Sequence, residues 1–104
     1  MPSFLKTKPV RSESYRRWVA SLPCISCGIE GYSQCAHANG GGMGTKASDL
    51  DTFPLCCARP GHAGCHIMFD ACVGMTKAQR RELTDSYLER MQRIARAAGR
   101  KEFA

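Results

Sequence analysis

The sequence predicts a small α+β domain, in which a β-hairpin and a short helix are stapled by zinc and flanked by two further helices. Three observations predict this fold. Apolar residues recur at helical spacing near both ends, two strand-like runs flank a glycine-rich stretch, and the cysteines include pairs that lie far apart. The 104 residues fit one domain, 1–104, with its core at 24–74 and helical flanks at 1–23 and 75–104.

The first predicted helix ends at Pro23. Ser12 or Ser14 can cap its start, because a serine oxygen accepts hydrogen bonds from the free backbone N–H groups of the first turn. The apolar residues that share one face of this helix are Tyr15, Trp18, Val19 and Leu22.

Residues 32–37 and 52–56 are the two predicted strands of a hairpin. Pro54 predicts an edge position or a bulge in the second strand, because proline has no N–H to donate to a sheet. Residues 39–46 contain four glycines, too many for the interior of a helix or strand, so they are predicted to form a loop.

Two helices are predicted after the hairpin. Residues 65–73 have helical spacing before Gly74, and Thr76 can cap a long helix that extends to about Ala98. The apolar stripe of the long helix consists of Leu83, Tyr87, Met91, Ile94, Ala95 and Ala98. This stripe exceeds what so small a core can cover, which makes the C-terminal helix a candidate homodimer contact.

The net charge of +6 lies at the two ends of the chain. Residues 1–23 and 75–104 each carry +4, and the centre carries −2. Basic flanks around an acidic centre favour a protein that binds a nucleic acid through its phosphates, with little readout of base sequence. The alternative is that the lysine and arginine side chains only hydrate the helix surfaces. The candidate nucleic-acid contacts are Lys46, Arg16, Arg17, Arg80 and Arg81.

Seven cysteines is an odd number, and residues 1–8 lack the apolar core of a signal peptide. No apolar stretch approaches the length of a membrane span. We therefore expect a cytoplasmic protein with no membrane partner, whose paired cysteines bind metal. A secreted, disulfide-rich protein is the alternative, and reductant rather than chelator would unfold it.

Zinc is predicted to bind four cysteines. Cys24 and Cys27 have the two-residue spacing that lets both thiolates face one ion, and Cys56 with Cys65 is the predicted second pair. Cys57 and His62 are rivals for the second pair. Adjacent side chains of a strand point to opposite sides, so only one of Cys56 and Cys57 should reach the ion. Cys35 and Cys72 are predicted to be small buried apolar residues.

A second set of residues suits hydrolysis of a phosphodiester. His37, at a strand end, is the candidate base that deprotonates water. His66 and Asp70 are four residues apart on one predicted helix face, where together they could bind a divalent ion. We expect His37 and His66 to approach one hydrated cation.

These residues resemble a known family. The runs Ala36-His37-Ala38-Asn39, then Gly-Met-Gly-Thr-Lys-Ala-Ser-Asp ending at Asp49, then Pro-Leu-Cys ending at Cys56, and Cys65-His66 are similar to motifs of phage and prophage HNH endonucleases. That family belongs to the His-Me finger, or ββα-metal, superfamily, and the similarity extends to small prophage nucleases and the RecA-dependent nuclease Ref group. It covers residues 24–70.

The resemblance implies a ββα core that binds Mg²⁺ or Mn²⁺ and cleaves DNA to 5′-phosphate and 3′-hydroxyl ends. His37 would be the base, and His66 with Asp70 would hold the ion. Asp49 or Asp51 would replace the central Asn of the family, and Asn39 would supply part of that polar role.

One departure from the family concerns Ala36, because many members carry an Asp or His metal ligand at that position. Either the ion here would depend on Asp70 and water, or His37 would itself be a ligand and the base would lie elsewhere. If the protein is phage-encoded, its location is the host cytosol.

The competing hypothesis is a non-catalytic zinc module that binds DNA or a protein.

Overall fold

The computed structural model describes residues 11–38 and 48–103. It confirms a small mixed α/β domain with a two-stranded sheet and three helices. The elements in chain order are helix α1 (Glu13–Ala20), strand β1 (Ser33–His37), strand β2 (Thr52–Cys56), helix α2 (Cys65–Asp70), helix α3 (Lys77–Ala97) and a 3₁₀ turn (Lys101–Phe103). The predicted glycine-rich loop, 39–46, which includes Asn39 and Lys46, lies outside the described residues.

The two strands form an antiparallel hairpin, whose register runs from Ser33 opposite Cys56 to His37 opposite Thr52. Pro54 lies inside β2 and is tolerated because each strand of a two-stranded sheet is an edge. Its carbonyl oxygen accepts a hydrogen bond from the N–H of Ile25 at 2.8 Å. That bond ties the turn after α1 to the hairpin.

Aromatic residues form the centre of the core. The Phe53 ring contacts the rings of Phe69 and Tyr87, with centroid separations of 5.4 and 5.1 Å. These rings join β2 to α2 and α3. Edge-to-face pairs of this kind add roughly 0.5–1.5 kcal/mol each beyond the area they bury, which helps to orient the two helices on the sheet.

Helix α1 begins as predicted and ends earlier than predicted. The Ser12 hydroxyl caps it by accepting the N–H of Tyr15. The last helical residue is Ala20 rather than a residue next to Pro23. Proline disfavours helical geometry in the residue before it, so Leu22 leaves the helix and the chain turns toward Cys24.

Helix α2 ends at Asp70, three residues before the predicted end at residue 73. Cys72 adopts a left-handed conformation, with φ of 55°. The N–H of Val73 bonds the carbonyl of Met68 and the N–H of Cys72 bonds that of Phe69, which is the Schellman pattern. A cysteine gives no sequence signal for this conformation, because glycine normally occupies it.

Helix α3 begins at the predicted cap. The Thr76 side chain accepts from the backbone of Gln79, and the Gln79 side chain accepts from the backbone of Thr76. Tyr87, Met91 and Ala95 are buried along the predicted stripe, while Ile94 is 39% exposed. No helix among residues 11–38 and 48–103 is long and apolar enough to span a bilayer.

Candidate metal centre and histidine site

The four cysteines named from the sequence lie together. Their sulfur atoms are all within 4.8 Å of one another, and the sulfurs of Cys27 and Cys56 are 3.8 Å apart. In a tetrahedral site with Zn–S bonds near 2.3 Å, sulfur atoms are about 3.8 Å apart. The cluster could therefore hold a metal ion such as zinc. Its ligands come from the turn after α1, the end of β2 and the start of α2.

The two rival residues lie outside this cluster. Cys57 is half-buried, and its N–H bonds the carbonyl of Tyr32 at 2.8 Å. His62 uses Nδ1 to accept the N–H of Gly64 at 2.8 Å, just before Cys65. Cys35 is half-buried rather than fully buried, and burial raises its pKa, which keeps the thiol neutral and apolar in character.

Backbone geometry sets the directions of the cysteine side chains. Gly28 has φ of 82°, and its N–H bonds the carbonyl of Cys24 at 2.8 Å, which closes the first turn. Gly64 has φ of 95°, and a Cβ there would lie 2.7 Å from the backbone of Cys57 and of Ala58. Only glycine fits at this position. Residue 64 thereby lets the start of α2 pack against the end of β2.

Two groups stabilise negative charge on the cluster. Burial raises the pKa of the Cys56 thiol, but the N–H of Cys65, 3.3 Å from its sulfur, and the Arg59 side chain lower that pKa to about 6. The interaction with Cys56 in turn raises the pKa of Arg59. Arg59 also stacks over Tyr32 at 5.2 Å. No sequence motif singled out Arg59.

His37 contacts Asp49 rather than Asp51. Its Nε2 is 3.2 Å from Oδ1 of Asp49, whose side chain is only 2% exposed. The second oxygen, Oδ2, accepts the N–H of Ser12 at 2.8 Å and Nε of Arg16 at 3.0 Å. Arg11 lies 3.6 Å from Oδ1. A carboxylate held on both oxygens therefore fixes one nitrogen of the imidazole.

The charge of Asp49 follows from these contacts. Burial raises the pKa of Asp49, but the Ser12 N–H, His37 and Arg16 together outweigh it and hold that pKa below its ordinary value. Because a carboxylate only accepts hydrogen bonds, the facing Nε2 of His37 must carry a proton in this contact. In the neutral imidazole, the lone pair then lies on Nδ1.

His66 has acceptors at both ring nitrogens. Nδ1 is 2.9 Å from Oε1 of Gln34, and Nε2 is 3.4 Å from Oδ2 of Asp70. If Nδ1 donates to Gln34, the Nε2 lone pair faces the Asp70 carboxylate. A histidine nitrogen and a carboxylate oxygen so placed could coordinate one cation together.

The two histidines have separate partners. Gln34, which contacts His66, and His37 are three residues apart on β1, and side chains at that spacing point to opposite faces of a strand. Within the described part of the chain, the only group of three or more His, Cys, Asp or Glu side chains placed to hold an ion is the cysteine cluster. One cation shared by His37 and His66 stays a prediction.

An open cleft of about 630 Å³ lies beside Asp70, between the hairpin end and helices α2 and α3. Its lining is Ala38, Asp51, Asp70, Cys72, Lys77, Arg80, Arg81, Thr84, Asp85 and Leu88. Two of the predicted phosphate contacts, Arg80 and Arg81, lie here. Arg80 stacks on Phe69 at 4.4 Å and approaches Asp70 at 4.0 Å.

The other two described phosphate candidates lie on α1 and pair within the chain. Arg16 holds Asp49, and Arg17 is 2.6 Å from Glu13. Arg17 and Glu13 are both highly exposed, so that pair contributes little to stability. Arg16 is instead part of the support of the histidine site.

Comparison with known proteins yields one family and one relative. A family model described as "Protein of unknown function (DUF968)" matches residues 3–90. The Uncharacterized protein YdfU of Escherichia coli (strain K12) is 43% identical over 60 residues, which is 52% of this chain and 17% of the relative. The chain thus spans about a sixth of the length of that relative. No solved structure matches.

Proposed function

The chain belongs to the DUF968 family, and we propose that this member is a metal-dependent endonuclease of the HNH type, with a ββα-metal core stapled by zinc. The observation that carries the proposal is the contact between His37 and the buried, triply held carboxyl group of Asp49. A carboxylate that fixes the tautomer of an imidazole is a recurring way to prepare a general base.

His37 would take a proton from water. With Nε2–H donating to Asp49, its Nδ1 presents a lone pair, and its side chain is 30% exposed, so water can reach it. Asp49 would hold the ring and stabilise the positive charge that develops on it. In this assignment Asp49 takes the place of the central Asn of HNH endonucleases, and Asp51 faces the cleft instead.

Asp70 and Nε2 of His66 are the groups that would hold Mg²⁺ or Mn²⁺. Such an ion, when bound, neutralises phosphate charge and stabilises the leaving oxygen. Gln34 would fix the ring of His66 through Nδ1, as partners beyond the ligands commonly do. Lys77, Arg80 and Arg81 along the cleft would contact the DNA backbone without reading sequence.

The test is nicking of supercoiled plasmid by zinc-loaded protein in Mg²⁺ or Mn²⁺. We expect His37→Ala to slow nicking at least about a hundredfold, because general-base catalysis contributes roughly 10²–10⁴-fold. Gln92→Ala, at an exposed position of α3, is the matched control and should keep the wild-type rate. An equal rate in His37→Ala and wild type would refute the assignment.

A second candidate is a zinc-stapled module that binds nucleic acid without cleaving it. It is favoured by the cysteine cluster being the only group of three or more candidate ligands in the described ranges. Fluorescence anisotropy with a DNA duplex separates the two functions. Salt-sensitive binding without nicking in either ion supports the module, since phosphate contacts weaken as salt rises.

A further inference from the structure

The C-terminal 3₁₀ turn (Lys101–Phe103) packs against α1, on which the support of Asp49 depends. The Ser12 hydroxyl donates to Oε2 of Glu102 at 3.1 Å, across a separation of 90 residues. The same hydroxyl accepts the N–H of Tyr15 as the cap of α1. The backbone N–H of Ser12 donates to Asp49 at 2.8 Å. One residue thus links the turn, the helix and the histidine site.

Glu102 is itself fixed in place. Arg100 donates to both of its oxygens, from Nε to Oε1 at 3.1 Å and from Nη2 to Oε2 at 3.0 Å. The side chain of Glu102 is only 6% exposed. Arg100 also donates to the hydroxyl of Ser14 at 2.9 Å and stacks over Tyr15 at 5.5 Å. The turn is therefore anchored to α1 by polar and ring contacts.

We propose that Glu102 is a positioning residue for the His37–Asp49 pair. Glu102 orients the Ser12 hydroxyl so that its lone pair caps α1, and the cap directs the Ser12 N–H at Asp49. Asp49 in turn holds the proton of His37 on Nε2. This role rests on the proposed function only where activity is measured, because the tautomer of His37 can be observed without any substrate.

Glu102 lies outside residues 3–90, which the family model matches. The support that it supplies therefore comes from a segment beyond the matched region.

The experiment records long-range ¹H–¹⁵N NMR spectra of the imidazoles in the zinc-loaded protein. In the wild type we expect His37 in the Nε2–H form alone. In Glu102→Ala we expect a mixture of the two tautomers. We expect the nicking rate to fall roughly tenfold, less than the roughly 10²–10⁴-fold that general-base catalysis contributes, because only part of the His37 population keeps its lone pair on Nδ1. Glu89→Ala removes a 73%-exposed carboxylate that pairs with Arg93 and should change neither.

A second variant separates positioning from general loss of stability. Ser12→Ala removes the hydroxyl and keeps the N–H that bonds Asp49. If Glu102 acts through Ser12, the variant that combines Ser12→Ala with Glu102→Ala should show the same His37 tautomer ratio as each single variant. The reason is that effects within one hydrogen-bond network are not additive. All spectra are taken where circular dichroism shows each variant folded.

An unchanged His37 tautomer in folded Glu102→Ala would overturn the proposal, as would additive effects in the double variant. Failure of the wild type to nick DNA would refute the endonuclease and leave the tautomer result to decide the role of Glu102.

Discussion

Asp49 joins three parts of the chain, two of them through its side-chain carboxyl group and one through its backbone carbonyl. It contacts the start of α1, the end of β1 and, through its own carbonyl, the hydroxyl of Thr52 at 2.8 Å. A buried carboxylate without such partners would be strongly destabilising, and these donors together keep Asp49 charged. The same contacts that make the charge tolerable also orient His37.

Replacement of Asp49 tests this at the residue level. Asp49→Asn should lower the free energy of unfolding by about 1.5–3 kcal/mol at pH 7, the range for hydrogen bonds to charged groups. The pKa of Asp49 is lowered in the folded state, so its contribution to the unfolding free energy is fully present above the ordinary carboxyl pKa and is lost progressively as the pH falls from there through the lowered folded-state pKa. Urea unfolding of Asp49→Asn and of the wild type, at pH 7 and near pH 3, measures how the difference between their unfolding free energies changes with pH.

Asp51→Asn is the matched control, since Asp51 is exposed and lines the open cleft. It should change the unfolding free energy little at either pH. If the difference in unfolding free energy between Asp49→Asn and the wild type is no smaller near pH 3 than at pH 7, the charged state assigned to Asp49 is contradicted.

Single residues also explain what the sequence could and could not predict. The Cys24–Cys27 spacing and the strand that ends in Cys56 are local signals, and the structure brings those side chains together with Cys65. The choice between Asp49 and Asp51 stayed open, because it depends on how the hairpin end packs on α1. The contact of Ser12 with Glu102 spans 90 residues and has no local pattern at all.

At the scale of elements, turns decide where the helices begin and end. The sequence predicts the cap Thr76 and narrows the first cap to Ser12 or Ser14, because serine and threonine oxygens accept the free N–H groups at a helix start; the structure shows that Ser12 is the cap. The end of α2 was not readable, because Cys72 occupies a conformation that sequence patterns reserve for glycine. The start of α2 depends instead on a glycine, Gly64, that packing requires.

Two glycine variants separate the cost of backbone strain alone from the cost of backbone strain combined with a steric clash. Gly28→Ala meets only an unfavourable φ, because no atom lies within 4 Å of the added Cβ. Gly64→Ala adds contacts of 2.7 Å with backbone atoms and must displace the start of α2. We expect Gly28→Ala to destabilise the zinc-loaded protein by about 1 kcal/mol. Gly64→Ala should cost more and weaken metal binding.

Competition with a chromogenic chelator measures the metal affinity of both glycine variants. Equal affinity in Gly64→Ala and Gly28→Ala would show that α2 can shift without moving Cys65, contrary to this prediction.

At the scale of the whole molecule, the four-cysteine cluster brings together the turn after α1, the end of β2 and the start of α2, and a metal ion bound there would join these segments. Isolated two-stranded hairpins are marginal in water, so this one depends on its packing and on the cysteine cluster. Zinc bound by four thiolates contributes roughly 10–16 kcal/mol of apparent folding free energy in small zinc domains. We expect one zinc per chain.

Removal of the metal should therefore unfold much of the domain. Chelator should lower the thermal midpoint sharply, while reductant without chelator should leave it unchanged. Cys24→Ser should lose zinc, and Cys57→Ser, outside the cluster, should retain it. Elemental analysis and circular dichroism follow both changes. Full zinc content in Cys24→Ser would contradict the proposed ligand set.

The hairpin also fixes a distance between the two sites. The ladder has five residue pairs; Cys56 of the cysteine cluster belongs to the first pair, and His37 with Thr52 forms the last. At roughly 3.4 Å per residue, the two ends of the ladder are about 14 Å apart. Loss of one residue from either strand would turn its remaining side chains to the other face. In related proteins this ladder can therefore be longer or shorter only by an even number of residues, if the side chains equivalent to Cys56 and His37 are to stay on the same faces of the sheet.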